Sequence, residues 1–165
     1  MYSVGDHVVY GIHGVCRILC QEERTVDRKK VLYFVLEPLD QPGARFYIPA
    51  QNQAALSKLR PVLSRHELDA LLASQEVRRD HWVEDENQRK QRYRELINSG
   101  DRAGLICMVG SLYRHKEAQA AAGRKFHMCD DNFLRDAEKL LNSEFSLVLQ
   151  IPASQVQAYI LEALR

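Results

Sequence analysis

The sequence predicts an α+β protein: a small N-terminal antiparallel β-barrel followed by an all-α helical bundle. Three observations predict it. Residues 1–60 hold four or five short β-rich runs and no long helix, which suits a small barrel. After Pro61 the apolar spacing changes from a period of two to the i, i+3, i+4 pattern of helices. Helix-capping signals then recur to the end of the chain. The expected domains are 1–60 and 64–165, and 165 residues suffice for a sizeable core.

The strands come first. His7-Val8-Val9-Tyr10 is short and β-rich, and Gly11 to Gly14 supplies a turn. In the next run Val15, Arg17, Leu19 and Gln21 alternate with Cys16, Ile18 and Cys20, a half-buried strand by period. Asp27-Arg28-Lys29-Lys30 reads as a charged turn before the apolar run Val31 to Leu36. Pro38 to Gly43 is loop chemistry, and Arg45-Phe46-Tyr47-Ile48 is a further strand stopped by Pro49.

The helices follow. Ser64-Arg65-His66-Glu67 has capping-box spacing, with Leu68, Leu71 and Leu72 on one face. A second helix is expected over about 80–97, closed by Asn98-Ser99-Gly100. Asp101 caps a third, carrying Leu105, Val109, Leu112 and Tyr113, with Gly104 and Gly110 weakening it by about 1 kcal/mol each against Ala. The small residues from Ala118 to Gly123 read as a bridge. Asp130 or Asp131 opens a fourth helix with Phe133, Leu134, Ala137, Leu140 and Leu141. Ser154 to Gln157 is a second capping box, before Tyr159, Ile160, Ala163 and Leu164.

Composition bounds the function. Hydrophobic residues make up 45% and charged residues 27%, as in ordinary globular proteins. No apolar run approaches the roughly 18 residues of a membrane span. The opening Met1 to Asp6 lacks a basic region and an apolar region, so export is not expected. Four irregularly spaced cysteines fit a reducing cytoplasm better than a disulfide framework. Net charge is +1, but its distribution is uneven: residues 86–125 hold nine Lys/Arg against four Asp/Glu, while residues 61–85 and 126–165 each hold three against six. One local basic patch is expected.

Catalysis finds no support, because no nucleophile elbow, zinc-protease helix or phosphate loop is present. Neither a cofactor nor a metal is expected. Cys16 and Cys20 would lie about 13 Å apart along a strand, too far to share a zinc ion. His127 and Cys129 lack a second ligand pair. Cysteines acting as small hydrophobes are the favoured reading.

The basic run Asn87-Gln88-Arg89-Lys90-Gln91-Arg92-Tyr93-Arg94 is the strongest signal, with four cations, three amides and one aromatic. Arg89 and Tyr93 share one helical face, as do Lys90 and Arg94. Such a run reads equally as a phosphate-contacting surface or as a solvated helix face paired with Glu86 and Glu95. Arg114, His115, Lys116, Arg124 and Lys125 could extend it. Trp82, the only tryptophan, reads first as packed core and second as a base-stacking wedge beside the cationic helix.

These residues carry a family resemblance. Val4-Gly5-Asp6-His7-Val8-Val9-Tyr10-Gly11-Ile12-His13-Gly14 resembles the opening of the CarD/CdnL bacterial transcription regulators, a module also similar to one in transcription-repair coupling factors. The resemblance continues through Tyr33 to Leu36, Ile48-Pro49-Ala50, Arg60-Pro61-Val62, Arg92 to Glu95, Ser99-Gly100-Asp101 and Leu112-Tyr113-Arg114. It implies a non-enzymatic cytoplasmic protein, associated with the nucleoid through RNA polymerase and monomeric. The Tudor-like barrel would bind the polymerase β subunit by strand addition, using Arg24 and the strand Arg45, Phe46, Tyr47, Ile48 and Pro49. The helical half would stabilise the promoter open complex through Trp82, Arg89, Lys90, Arg92 and Arg94.

Four features depart from the family pattern. Gly11 replaces a usual Pro, and Tyr47 stands where some members place an Arg. The wedge tryptophan position falls on Glu86, with Trp82 about one turn earlier, and residues 115–125 make a longer connection. An adaptor that docks on polymerase without touching DNA is therefore the alternative expectation.

Overall fold

A computed structural model describes residues 2–80 and 82–165; Met1 and His81 lie outside the described residues. The chain divides into two compact units, Met1–Val62 and Leu63–Arg165.

The first unit is an antiparallel sheet. Strands β1 (His7–Tyr10), β2 (Val15–Val26), β3 (Lys29–Pro38), β4 (Phe46–Pro49) and β5 (Leu59–Pro61) lie in the order β4-β3-β2-β1-β5. This is the barrel-like sheet that the period-two pattern predicts. Among the described residues no ladder joins β4 to β5, so the sheet stays open and β4 and β5 are its edges. Helix α1 (Gln53–Leu56), capped by Asn52, was not legible in the pattern, and neither was the three-residue β5. The core comprises Val8, Cys16, Ile18, Phe34, Leu36, Ile48 and Leu59.

Strand β2 departs from simple alternation. Ile18 pairs with Leu36 but Cys20 pairs with Val35, leaving Leu19 as an extra residue. This bulge exchanges the two faces for the rest of the strand. Cys16 is buried while Cys20 is exposed, so the two cysteines do not share a face as the alternation predicts. The same exchange places Arg24 on the outer face beside Tyr47. At the hairpin tip Asp27 and Arg28 both adopt positive φ, 50° and 64°, the backbone of a two-residue turn matched to strand twist.

The second unit is helical: α2 (Arg65–Ala73), α3 (Glu86–Ser99), α4 (Arg102–Ala121), α5 (Met128–Leu149) and α6 (Ala153–Ala163), with a short 3-10 turn at Glu76–Arg78. The capping box at Ser64 and Glu67 forms in both directions, at 3.1 and 3.0 Å. Helix α4 is buried almost all round from Leu105 to Leu112, because α3, α5 and the 3-10 turn all pack on it. Arg78 donates to the carbonyls of Leu72, Ser74 and Ala163, tying the ends of α2 and α6 together.

Four boundaries differ from expectation, each for a local reason. Helix α3 begins at Glu86 with Asp85 as its cap, since residues 82–84 satisfy their backbone groups with side chains instead. The small residues after Ala118 continue α4 to Ala121, because nothing in that alanine run breaks a helix. The connection to α5 is thus residues 122–127. Helix α5 begins at Met128, so Asp130 falls inside its first turn, free to point inward. Helix α6 starts from Pro152, and Gln157 donates to Asn142 on α5 rather than closing a capping box.

Candidate polymerase and nucleic-acid interfaces

In the first unit the candidate residues gather at one edge of the sheet. The amide of Ala50 donates to the carbonyl of Leu32 at 2.8 Å, and the β3–β4 register pairs Phe34 with Ile48 and Leu36 with Phe46. Hydrogen-bonded and open pairs alternate in an antiparallel ladder, so the N–H and C=O of Tyr47 point away from β3. Pro49 has no N–H to offer there, and its carbonyl already accepts from Asn52. The free edge is therefore short and centred on Tyr47.

The side chains around it divide by face. Tyr47 is 39% exposed, with the Arg24 guanidinium 4.1 Å above its ring and the Tyr33 ring meeting it edge-on at 6.5 Å. Arg45 is clamped by Glu37 at 2.6 Å, and Glu37 also accepts from the Gly43 amide. These bonds, the Gly43 amide foremost, hold the Glu37 carboxyl below its ordinary range. Phe46 packs inward against Tyr10 and His13, and Ile48 is buried in the core. A partner on this edge would meet the backbone of Tyr47, not the side chains of Phe46 and Ile48. Tyr33 was not among the sequence candidates; the signal was its place two residues from Val35, which pairs with Tyr47.

In the second unit burial sorts the basic run. Arg89 is 5% exposed and pairs with Asp130, 1% exposed, through two parallel bonds of 3.0 Å. Its remaining donors reach the carbonyls of Val83 and Glu84 at 2.9 and 3.3 Å. Breaking such a buried pair costs about 3–5 kcal/mol, far more than one phosphate contact returns. Arg89 thus fastens the 82–85 segment to α5, a different placement from the exposed DNA contact that the sequence suggests.

Trp82 is half-buried. The His115 ring stacks on it at 3.7 Å and 15°, and the Arg89 guanidinium lies 4.3 Å from its ring centre. Two flat groups this close to one centroid would collide on the same side, so both faces of the indole are covered. The backbone amide of Trp82 donates to Asp80, which also accepts from Ser111 and sits 3.6 Å from Arg114. The Ser111 bond leads in holding the Asp80 carboxyl below its usual range.

The exposed cations remain. Lys90 pairs with Glu86 at 2.9 Å, an interaction that lowers the Glu86 carboxyl and raises the Lys90 ammonium. Lys90 and Arg94 share one flank of α3, with Arg92 on the other beside Arg79. Among the described residues Arg79, Arg92, Arg94, Arg124 and Lys125 enter no ion pair, and Arg79 and Arg92 line one groove with Glu76 and Asp101. Among the described residues no cluster of three metal-ligating side chains occurs, and no helix is long and apolar enough to cross a membrane. Sequence reasoning read Asp130 only as a helix cap and His115 only as an extension of the basic patch, and so missed the pairing of Asp130 with Arg89 and the stacking of His115 on Trp82.

Comparison with known families gives two matches. Residues 2–62 match the family model described as the CarD-like/TRCF RID domain, and residues 68–161 match that of the CarD C-terminal domain.

Proposed function

Because the chain belongs to the CarD-like family and is an RNA polymerase-interacting transcription regulator built from non-catalytic domains, we propose that it binds the polymerase β subunit through β4 and stabilises the promoter open complex through α3. The observation that carries the polymerase half is the outward amide and carbonyl of Tyr47 on a short edge strand, with Arg24 laid over the Tyr47 ring. An edge strand binds an extended partner by main-chain bonds, and the flanking side chains set specificity. The proline at its end limits pairing to a few rows, which suits a defined docking site rather than open-ended aggregation.

The helical half rests on Arg92 and Arg94, which enter no ion pair among the described residues, assisted by Lys90 and by Trp82 in the segment before α3. Such cations contact phosphate without reading sequence.

Surface binding of the full chain to the β subunit tests the first half. Tyr47→Pro removes the outward donor but no β3 bond, and abolishes measurable binding. Arg24→Ala weakens it about tenfold. Wild-type affinity in Tyr47→Pro would rule out strand addition.

A second reading, docking without DNA contact, is favoured by Glu86 at the family's wedge position and by the two covered faces of Trp82. Crosslinking of promoter DNA to residues 82–94 within the polymerase complex eliminates it.

A further inference from the structure

The two partners of Trp82 are held very differently. Arg89 is locked by Asp130 and by two carbonyls, and moving it would strand a buried carboxylate. His115 is only half-buried, and among the described residues its ring has one polar contact, 3.3 Å from Gln119, with the Phe126 ring tilted against it at 6.2 Å. A flat heteroaromatic ring lying nearly parallel on an indole is also how a nucleobase sits on an aromatic platform. Replacing imidazole by a base exchanges one stack for another and leaves every bond of Arg89 in place.

We infer that His115 is a lid on Trp82: the imidazole occupies the position of an unpaired nucleobase, and a base from an opened strand takes its place while Arg89 backs the indole. The inference rests on the proposed DNA contact of the helical unit. It makes Trp82 available only where strands are already separated, since a paired base cannot leave its own stack without cost. Duplex DNA then meets the cations alone. His115 acts as a specificity-determining residue for melted over paired DNA.

The sole tryptophan supplies the readout. The full chain is titrated with a forked duplex carrying an unpaired arm and with the fully paired duplex, and Trp82 emission is followed. His115→Ala removes the competitor and tightens binding to the fork about tenfold. His115→Phe supplies a larger apolar lid and weakens it severalfold. Neither variant changes affinity for the paired duplex. Opposite shifts from two substitutions at one position separate a lid from a residue that merely supports the fold.

Equal fork affinity in wild type and both variants, with binding still lost in Arg92→Glu/Arg94→Glu, overturns the lid and leaves the DNA reading standing. Absence of binding to either DNA, including by His115→Ala, overturns both.

Discussion

Asp130 accepts two parallel bonds from Arg89 where almost no water reaches, so Asp130→Ala would leave a buried cation unpaired. Urea unfolding of that variant shows a loss of about 3–5 kcal/mol. Lys90→Ala, at a more exposed pair with Glu86, leaves the urea midpoint almost unchanged. Similar values for the two would refute the division of tasks within the basic run. The cysteines offer a second contrast. All four are free; Cys20 and Cys129 are exposed, Cys16 and Cys107 buried. Burial pushes the Cys16 thiol from 9.0 up to about 11. A thiol reagent at pH 8 thus titrates two groups quickly in the native protein and the other two only on unfolding. The sign on stability follows: the raised thiol leaves stability intact below pH 9 and lowers it progressively as pH rises toward 11. Cys16→Ala flattens that alkaline slope in the first unit.

Helices α3 and α4 approach closely at Gly104. A Cβ there would lie 2.5 Å from Cδ2 of Leu96. Helix propensity favours Gly104→Ala by about 1 kcal/mol, but overpacking of a well-filled contact costs about 1–3 kcal/mol. The net effect is destabilising, read as a lower urea midpoint; a gain would mean that the two helices separate freely. The glycine reads in sequence as a defect and in the fold as a spacer. Other elements were legible for similarly physical reasons. Local signals, such as the Ser64–Glu67 box, Gly100 ending α3 at φ 66° and the apolar stripe of α5, fix their elements without help. What escaped the sequence depends on residues far apart in the chain. The β2 bulge is a mismatch between two strands, and the late start of α3 comes from bonds to Arg89 and Asp80. The site follows the same rule. Tyr47 and Arg24 were candidates through the family resemblance and the exposed cations by type, whereas the burial of Arg89 needed Asp130, 41 residues away.

At the scale of the whole molecule, each unit carries its own core and its own candidate surface. A net charge of +1 gives little general attraction to DNA, so the proposed contact depends on a few local cations. Arg92→Glu/Arg94→Glu therefore leaves binding to the β subunit unchanged and reduces the salt dependence of promoter-complex stability by about two phosphate contacts. A salt slope equal to that of wild type would exclude these arginines from the DNA surface. The central claim is that one chain joins polymerase to opened promoter DNA. Its most direct test is the lifetime of the open complex formed by the cognate polymerase after competitor challenge, with the wild-type protein, with Tyr47→Pro and with Arg92→Glu/Arg94→Glu. The account predicts a longer lifetime with wild type and none of that gain with either variant. An unchanged lifetime with wild type, when polymerase binding is verified in the same reactions, would contradict it.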